Sequence, residues 1–206
     1  YHFFTGFGNV FVENRYTDWF NYYPHWTLRT LWMLSRYVPT QRLQMEFLNR
    51  WRNQDQYRPA DKLSPANISF EYCFAVTMMA QPLAWLEASN LPEEAFDIAT
   101  VIDKYKKDQS RIHSGKIFPI GEPPRGNSWT GFQSIGENAG FFQVFRERTD
   151  RGSARLSTWQ LAGKDVSCRL VAGAGADFNG QVIEEGMLEF TLSDPLTYAL
   201  YEYTVH

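Results

Sequence analysis

From Pro24 to Val38 the apolar residues Trp26, Leu28, Leu31, Trp32, Leu34 and Val38 recur at helical spacing, which predicts an amphipathic helix opened by Pro24 and ended by Pro39. Leu43, Phe47, Leu48 and Trp51, interleaved with Arg42, Glu46, Arg50 and Arg52, predict a second amphipathic helix. Residues 53–68 hold two prolines and many polar groups, so they read as a long surface loop of the kind that serves a site or a linker. Ser69 can cap a helix running to about Ala80, and Pro82 then interrupts the pattern before a short apolar stretch, Leu83 to Leu86. From Pro92 the pattern Phe96, Ala99, Ile102, Tyr105 and Ile112 describes one long amphipathic helix, with Glu93 and Glu94 at the positive end of its dipole and Gly115 closing it.

Beyond Gly115 the period changes. Short β-type runs separated by Gly, Pro, Asn and Asp predict strands at 116–120, 129–134, 140–148, 154–161, 167–171, 181–184, 187–192 and 197–205. Eight short strands at this spacing point to an antiparallel sandwich. Phe141, Gln143, Phe145 and Glu147 alternate with Phe142, Val144 and Arg146, so that strand is apolar on both sides near its start and is expected to be central. A boundary near residues 113–117 therefore divides the chain into 1–115 and 116–206, with no internal repeat.

Composition narrows the function. The chain is 206 residues long and 44% hydrophobic, enough for a substantial core. A net charge of -3 supplies no basic field for a phosphate backbone, so nucleic acid is not an expected partner. No apolar run approaches the roughly 18 residues of a membrane span, so no membrane partner is expected either. Cys73 and Cys168 lie far apart in dissimilar segments and are expected to be free, buried thiols. The opening Tyr1-His2-Phe3-Phe4 has neither an initiator Met nor a basic leader, which predicts a fragment or processed piece and leaves cytoplasm, periplasm and exterior open. Of the 34 Phe, Trp and Tyr residues, 16 fall in residues 1–60, marking a dense core or a sugar-type binding wall.

The motifs for dinucleotides, P-loop phosphates, zinc hydrolysis and serine hydrolysis are missing, and the four His residues lack zinc spacing. No cofactor or metal is expected, although a calcium held by scattered oxygens would leave no sequence mark. The chemically dense segment is Phe11-Val12-Glu13-Asn14-Arg15-Tyr16-Thr17-Asp18-Trp19, between a β-type run and a helix. Such a loop at the carboxyl end of an α/β-barrel strand carries ligand-facing groups, and a carboxyl there can protonate a glycosidic oxygen if burial keeps it neutral. Trp19 and Tyr16 would supply the apolar surround and a face for a sugar ring. An ordinary ion pair or helix cap among Glu13, Arg15 and Asp18 explains the same spacing. His25 and His113 read as packed or surface histidines, and Trp26, Trp32, Phe47 and Trp51 as a core stripe. Met78 and Met79 read as core filler, and Glu71, Glu87 and Asn90 flank the run after Pro82.

The order of parts resembles a family. Residues 71–120, with Leu91-Pro92-Glu93-Glu94, Tyr105-Lys106 and His113-Ser114-Gly115 in sequence, look like the end of the catalytic barrel of melibiase-type α-galactosidases, where a last strand and a long helix lead into a β-sandwich. The resemblance implies an α/β part followed by an all-β part: 1–115 as the C-terminal portion of a (β/α)8 barrel and 116–206 as an antiparallel sandwich. It implies a retaining glycosidase acting on terminal α-glycosidic bonds, with Asp18 as general acid and base, or Glu13-Asn14 as the competing match. Arg15, Trp19, Asn14 and Tyr16 would line the sugar site. A complete barrel needs about 250 residues, so most of it, nucleophile included, would lie outside this chain, and the chain alone would be inactive. Its partners would be a carbohydrate substrate and either the missing barrel portion or a second copy. The alternatives are a carbohydrate-binding module using Trp129, Phe132 and Trp159, or a purely structural one in which Trp129 and Trp159 are buried.

Overall fold

The computed structural model describes residues 8–12, 22–47, 49–84, 89 and 91–206. The first part alternates strand and helix: β1 (Val10–Phe11), α1 (Pro24–Leu34), β2 (Leu43–Phe47), α2 (Phe70–Ala75), β3 (Gln81–Ala84) and α3 (Ile98–Ser114). The strands form one parallel sheet in the order β1-β2-β3, with Val10 opposite Leu43 and Gln44 opposite Gln81. Parallel neighbours require a crossover, which α1 and α2 lie in position to supply.

Strand β2 corrects the second expected helix. Leu43 and Phe47 satisfy helical spacing, but Leu43, Met45 and Phe47 also alternate, and a run this short fits either period. Pairing on both edges decides for the strand, which is buried at four of its five positions. Phe47 therefore belongs to the core as a strand residue. Ser69 caps α2 as expected, its hydroxyl accepting the Tyr72 N–H at 3.1 Å. The helix ends at Ala75 rather than Ala80. Thr77 N–H bonds Phe74 O and Met78 N–H bonds Ala75 O, so the chain tightens into turns where β-branched Val76 and Thr77 meet. In the long helix Tyr105 and Ile112 are buried, whereas Phe96 sits in a preceding 3-10 turn, Glu93–Asp97, and is 64% exposed. Three residues per turn carry Phe96 off the buried stripe.

Eight strands follow Gly115: β4 (Lys116–Gly121), β5 (Trp129–Ile135), β6 (Ala139–Arg146), β7 (Ser153–Ser157), β8 (Asp165–Gly173), β9 (Phe178–Gln181), β10 (Met187–Thr191) and β11 (Thr197–Val205). Strand β9 corrects the expected 181–184, which it meets only at Gln181, because Ile183 O accepts the Gly186 N–H in a turn. They divide unequally, into a six-stranded antiparallel sheet, β4-β5-β6-β11-β8-β9, and a two-stranded one, β10-β7. Strand β6 lies between β5 and β11, as its double apolar pattern requires.

The six-stranded sheet is a wall shared by two cores. On one face Phe141, Phe145, Tyr198 and Leu200 join the helices in a single cluster, with the Phe145 ring 5.2 Å from that of Tyr72. On the other, Phe142, Val144, Ala199 and Tyr201 join Leu188 and Phe190 of β10, with Phe142 and Phe190 also 5.2 Å apart. A register shift at Leu200/Tyr201 leaves Val171 of β8 unpaired, so Leu170 packs with one core and Ala172 with the other. Gly115 joins the two parts at close range: a Cβ there would fall 2.2 Å from Ser134 Oγ.

Candidate active-site face

The parallel sheet has two unlike faces. Val10, Val12, Leu43, Met45 and Phe47 belong to the cluster that includes the helices, with the Phe47 ring 5.6 Å from Phe70 and 5.3 Å from Phe74. Strand alternation turns Phe11, Gln44 and Glu46 to the opposite face, together with Leu83, the register partner of Glu46. Glu46 stands one residue before the carboxyl end of β2, the end at which barrel enzymes hold ligand-facing groups. It is 5% exposed and has no hydrogen-bond or ion partner among the described residues, and burial pushes its carboxyl up to about 7. A carboxyl in that range can keep or release a proton at neutral pH. Helical spacing puts Glu46 on the charged side of a helix; the alternation of Leu43, Met45 and Phe47 is the sequence signal that places it correctly.

Glu13, Asn14, Arg15, Tyr16, Asp18 and Trp19 lie outside the described residues, as do Glu87 and Asn90. The residues on either side of 13–21 are held by hydrogen bonds. On the near side Val12 N–H donates to Gln44 O at 3.2 Å, so the chain leaves directly beside β2. On the far side Tyr22 N–H donates to Tyr57 Oη at 2.7 Å, and that hydroxyl donates to Tyr22 O at 2.9 Å. Tyr23 Oη donates to Asp61 Oδ2 at 2.5 Å, and burial with the Asp61 contact pushes the phenol up to about 12. The loop at 53–68 thus clamps the entry to α1. Its Leu63 also packs against Gly126 of the β4–β5 connection.

The remaining candidates are accounted for by packing. His113 Nε2 lies 3.2 Å from Met78 O and its Nδ1 lies 3.3 Å from Gln81 Nε2, which fits a neutral ring donating from Nε2 and accepting at Nδ1; burial lowers its pKa. His25, ringed by Tyr23 and Trp26, is lowered to about 4, chiefly by burial. Glu71 accepts from Tyr198 Oη at 2.6 Å, a tie between α2 and β11. Of the aromatic stripe, Trp32 and Phe47 are buried, Trp51 is half-buried, and Trp26 is 37% exposed because it lies on the outer side of α1. Trp129 and Phe132 are fully buried, whereas Trp159 is 45% exposed, which corrects the expectation that both tryptophans would be buried: Trp159 lies past the end of β7. Cys73 and Cys168 are free and buried, as expected, and burial pushes both thiols up to about 12. Among the described residues no three His, Cys, Asp or Glu side chains are grouped to hold a metal, and no helix is long and apolar enough to cross a membrane.

No family model matches the chain, and no curated relative matches it. Solved structures do. The galactosidase domain of the α-galactosidase–sucrose kinase AgaSK superposes with a TM-score of 0.64 at 13% identity, over 89% of this chain and 25% of that one. The GH36 α-galactosidase AgaA from Geobacillus stearothermophilus, in complex with raffinose, gives 0.63 at 14% identity, over 89% and 24%. The α-galactosidase from Lactobacillus brevis gives 0.53 at 12% identity, over 82% and 23%. The chain spans about a quarter of the length of these enzymes. Its fold is that of a portion of the GH36 α-galactosidases, shared across 89% of its residues in a way that fits their C-terminal part.

Proposed function

We propose that this chain is the C-terminal part of a retaining glycoside hydrolase of the α-galactosidase type. Residues 1–115 would contribute the last strand–helix units of a (β/α)8 barrel, and 116–206 would be the domain that covers its helices. The observation that carries the reading is the shared fold, which runs across both the parallel and the antiparallel part. The segment after β1 would supply the general acid and base, with Asp18 in the role and Glu13 as its competitor, while Arg15, Asn14, Tyr16 and Trp19 line the sugar. The acid would protonate the leaving oxygen, a contribution of about 10² to 10⁴ in rate, then activate water in the second step. The nucleophile, about 5 Å from the acid in a retaining enzyme, would come from barrel strands outside this chain, so the chain alone would not turn over. Glu46 would face the same pocket, able to donate a hydrogen bond while protonated, below about pH 7.

A structural role for 116–206 is favoured over sugar stacking by Trp129 and Phe132, whose faces are consumed by the core. Hydrolysis of an aryl α-galactoside tests the whole reading. The parent enzyme should lose activity by at least about 10² on Asp18→Asn, or on Glu13→Gln if the competitor is right, and the 206-residue chain should have none. An active isolated chain, or a parent indifferent to both substitutions, would overturn it.

A further inference from the structure

A cleft of about 360 Å3 opens between the end of α1, edge strand β4 and the residues after β7. Its wall is Trp159, 45% exposed yet firmly pinned: the indole N–H donates to Pro119 O at 3.0 Å, and the backbone N–H donates to Gln133 Oε1 at 2.7 Å. Phe118 extends that wall, its ring 5.2 Å from the indole and tilted by 37°. On the other side the Arg36 guanidinium lies 4.2 Å above the Trp32 ring, whose own N–H is tied to Ile120 O. Arg36 lines the cleft and has no carboxylate partner among the described residues. Ser157 adds a hydroxyl. A second cavity of about 310 Å3 shares Arg36 and Phe118 and continues to Tyr37, which is 75% exposed, so the two form one groove.

We propose that this groove is an accessory saccharide-binding subsite, separate from the face that carries Glu46. An exposed indole ordinarily keeps its freedom; here both of its neighbouring N–H groups are already satisfied by protein, so the ring is a fixed platform with nothing left to do but stack. The apolar C–H face of a pyranose suits such a ring, while guanidinium and hydroxyl donors suit its hydroxyls. The cleft volume lies within the roughly 300 to 1,000 Å3 of small-molecule sites, and the continuation past Phe118 suits an oligosaccharide better than a monosaccharide. The choice of sugar as ligand class rests on the glycosidase reading, whereas the site itself rests on the groove.

Saturation-transfer NMR on the 206-residue chain with stachyose tests it. Saturable transfer is expected, weakened at least about tenfold by Trp159→Ala and by Arg36→Ala, and unchanged by Lys107→Ala, an exposed residue of α3 that does not line the groove. Arg36 is exposed, its one described contact is the stacking on Trp32, and it makes no hydrogen bond or ion pair among the described residues, so its variant remains informative if Trp159→Ala disturbs Gln133. Absence of saturable transfer, wild-type transfer in the Arg36 variant, or an equal loss on Lys107→Ala would each overturn the groove. These failures are separate from those of the glycosidase reading, which is judged by hydrolysis in the parent enzyme.

Discussion

Replacing Glu46 by Gln isolates the cost of its burial. The unfolded chain releases this proton near an ordinary Glu value of 4.5, whereas the folded chain holds it to about 7. Between those limits the folded state binds more protons, so this group makes stability fall as pH rises; above about 7 the cost is constant. The interval corresponds to at most about 3 kcal/mol, and the little solvent contact that remains reduces the working figure to about 2 kcal/mol. Glu46→Gln should therefore match the unaltered chain near pH 4.5 and exceed it at pH 8 by about 2 kcal/mol, or roughly 4–8 °C in midpoint for a chain of this size. His25 and His113, both lowered by burial, act with the opposite sign: the unfolded chain protonates them first, so they make stability fall as pH drops below 6.5. They are common to both proteins and cancel in the difference. Urea midpoints at pH 4.5, 6 and 8 measure that difference. A gap that does not grow with pH, or a variant less stable at pH 8, would refute the claim that Glu46 is buried without a partner among the described residues.

Other expectations follow from buried polar groups and from the shared wall. Glu147 Oε2 accepts the N–H groups of Arg125, Gly126 and Ser128 at 2.8–3.0 Å, so Glu147→Ala should lower the urea-derived stability by about 3 kcal/mol, with Glu147→Gln recovering part of it. Arg146, 5% exposed, donates to the carbonyls of Thr149, Leu192 and Ser193, and Arg146→Met should cost about 3 kcal/mol by leaving those acceptors dry, again read from urea midpoints. Residues 116–206 expressed on their own should fail to give a soluble, cooperatively unfolding monomer, as size-exclusion chromatography and thermal melts would report; a monomer with a sharp melt would show that the wall does not need the helices.

The strands after Gly115 are legible because each is a short alternating run bounded by Gly, Pro, Asn or Asp, and β6 announces its central place by carrying Phe on both sides. Helix α1 and the close of α3 are legible from periodicity, from Pro24 and from Gly115. Strand β2 is not, since Leu43 and Phe47 serve either period and only its neighbours β1 and β3, distant in sequence, choose between them. The unequal split into six and two strands is hidden for a related reason: alternation tells which residues are buried, not whether a second sheet or a set of helices buries them. Glu46 is misplaced along with β2, because the face of a charged residue is inherited from its element. The free cysteines and the packed role of His113 need only local reasoning. Trp159 and Trp129 look alike as members of one aromatic set, although the end of β7 turns Trp159 outward while β5 takes Trp129 inside.

The shared wall also bears on what a boundary near residue 115 means. Chemistry and strand period change there, yet energetically the chain does not divide. Ile117, Phe132, Phe141, Phe145 and Leu200 are buried in the same cluster as Leu28, Trp32 and Phe74, and Gln143 reaches across to donate to Ala75 O at 2.6 Å. At about 1.5–3 kcal/mol for each large side chain fully buried, uncovering even those five would remove an amount comparable to the entire stability of an ordinary domain. The antiparallel sheet is consequently held from both sides, by β7 and β10 on one face and by the helices of the parallel part on the other. Those helices are fixed in turn to β2, whose other face carries Glu46. Packing thus connects the wall to the face where the acid chemistry is proposed, and the positioning of that face depends on the antiparallel sheet.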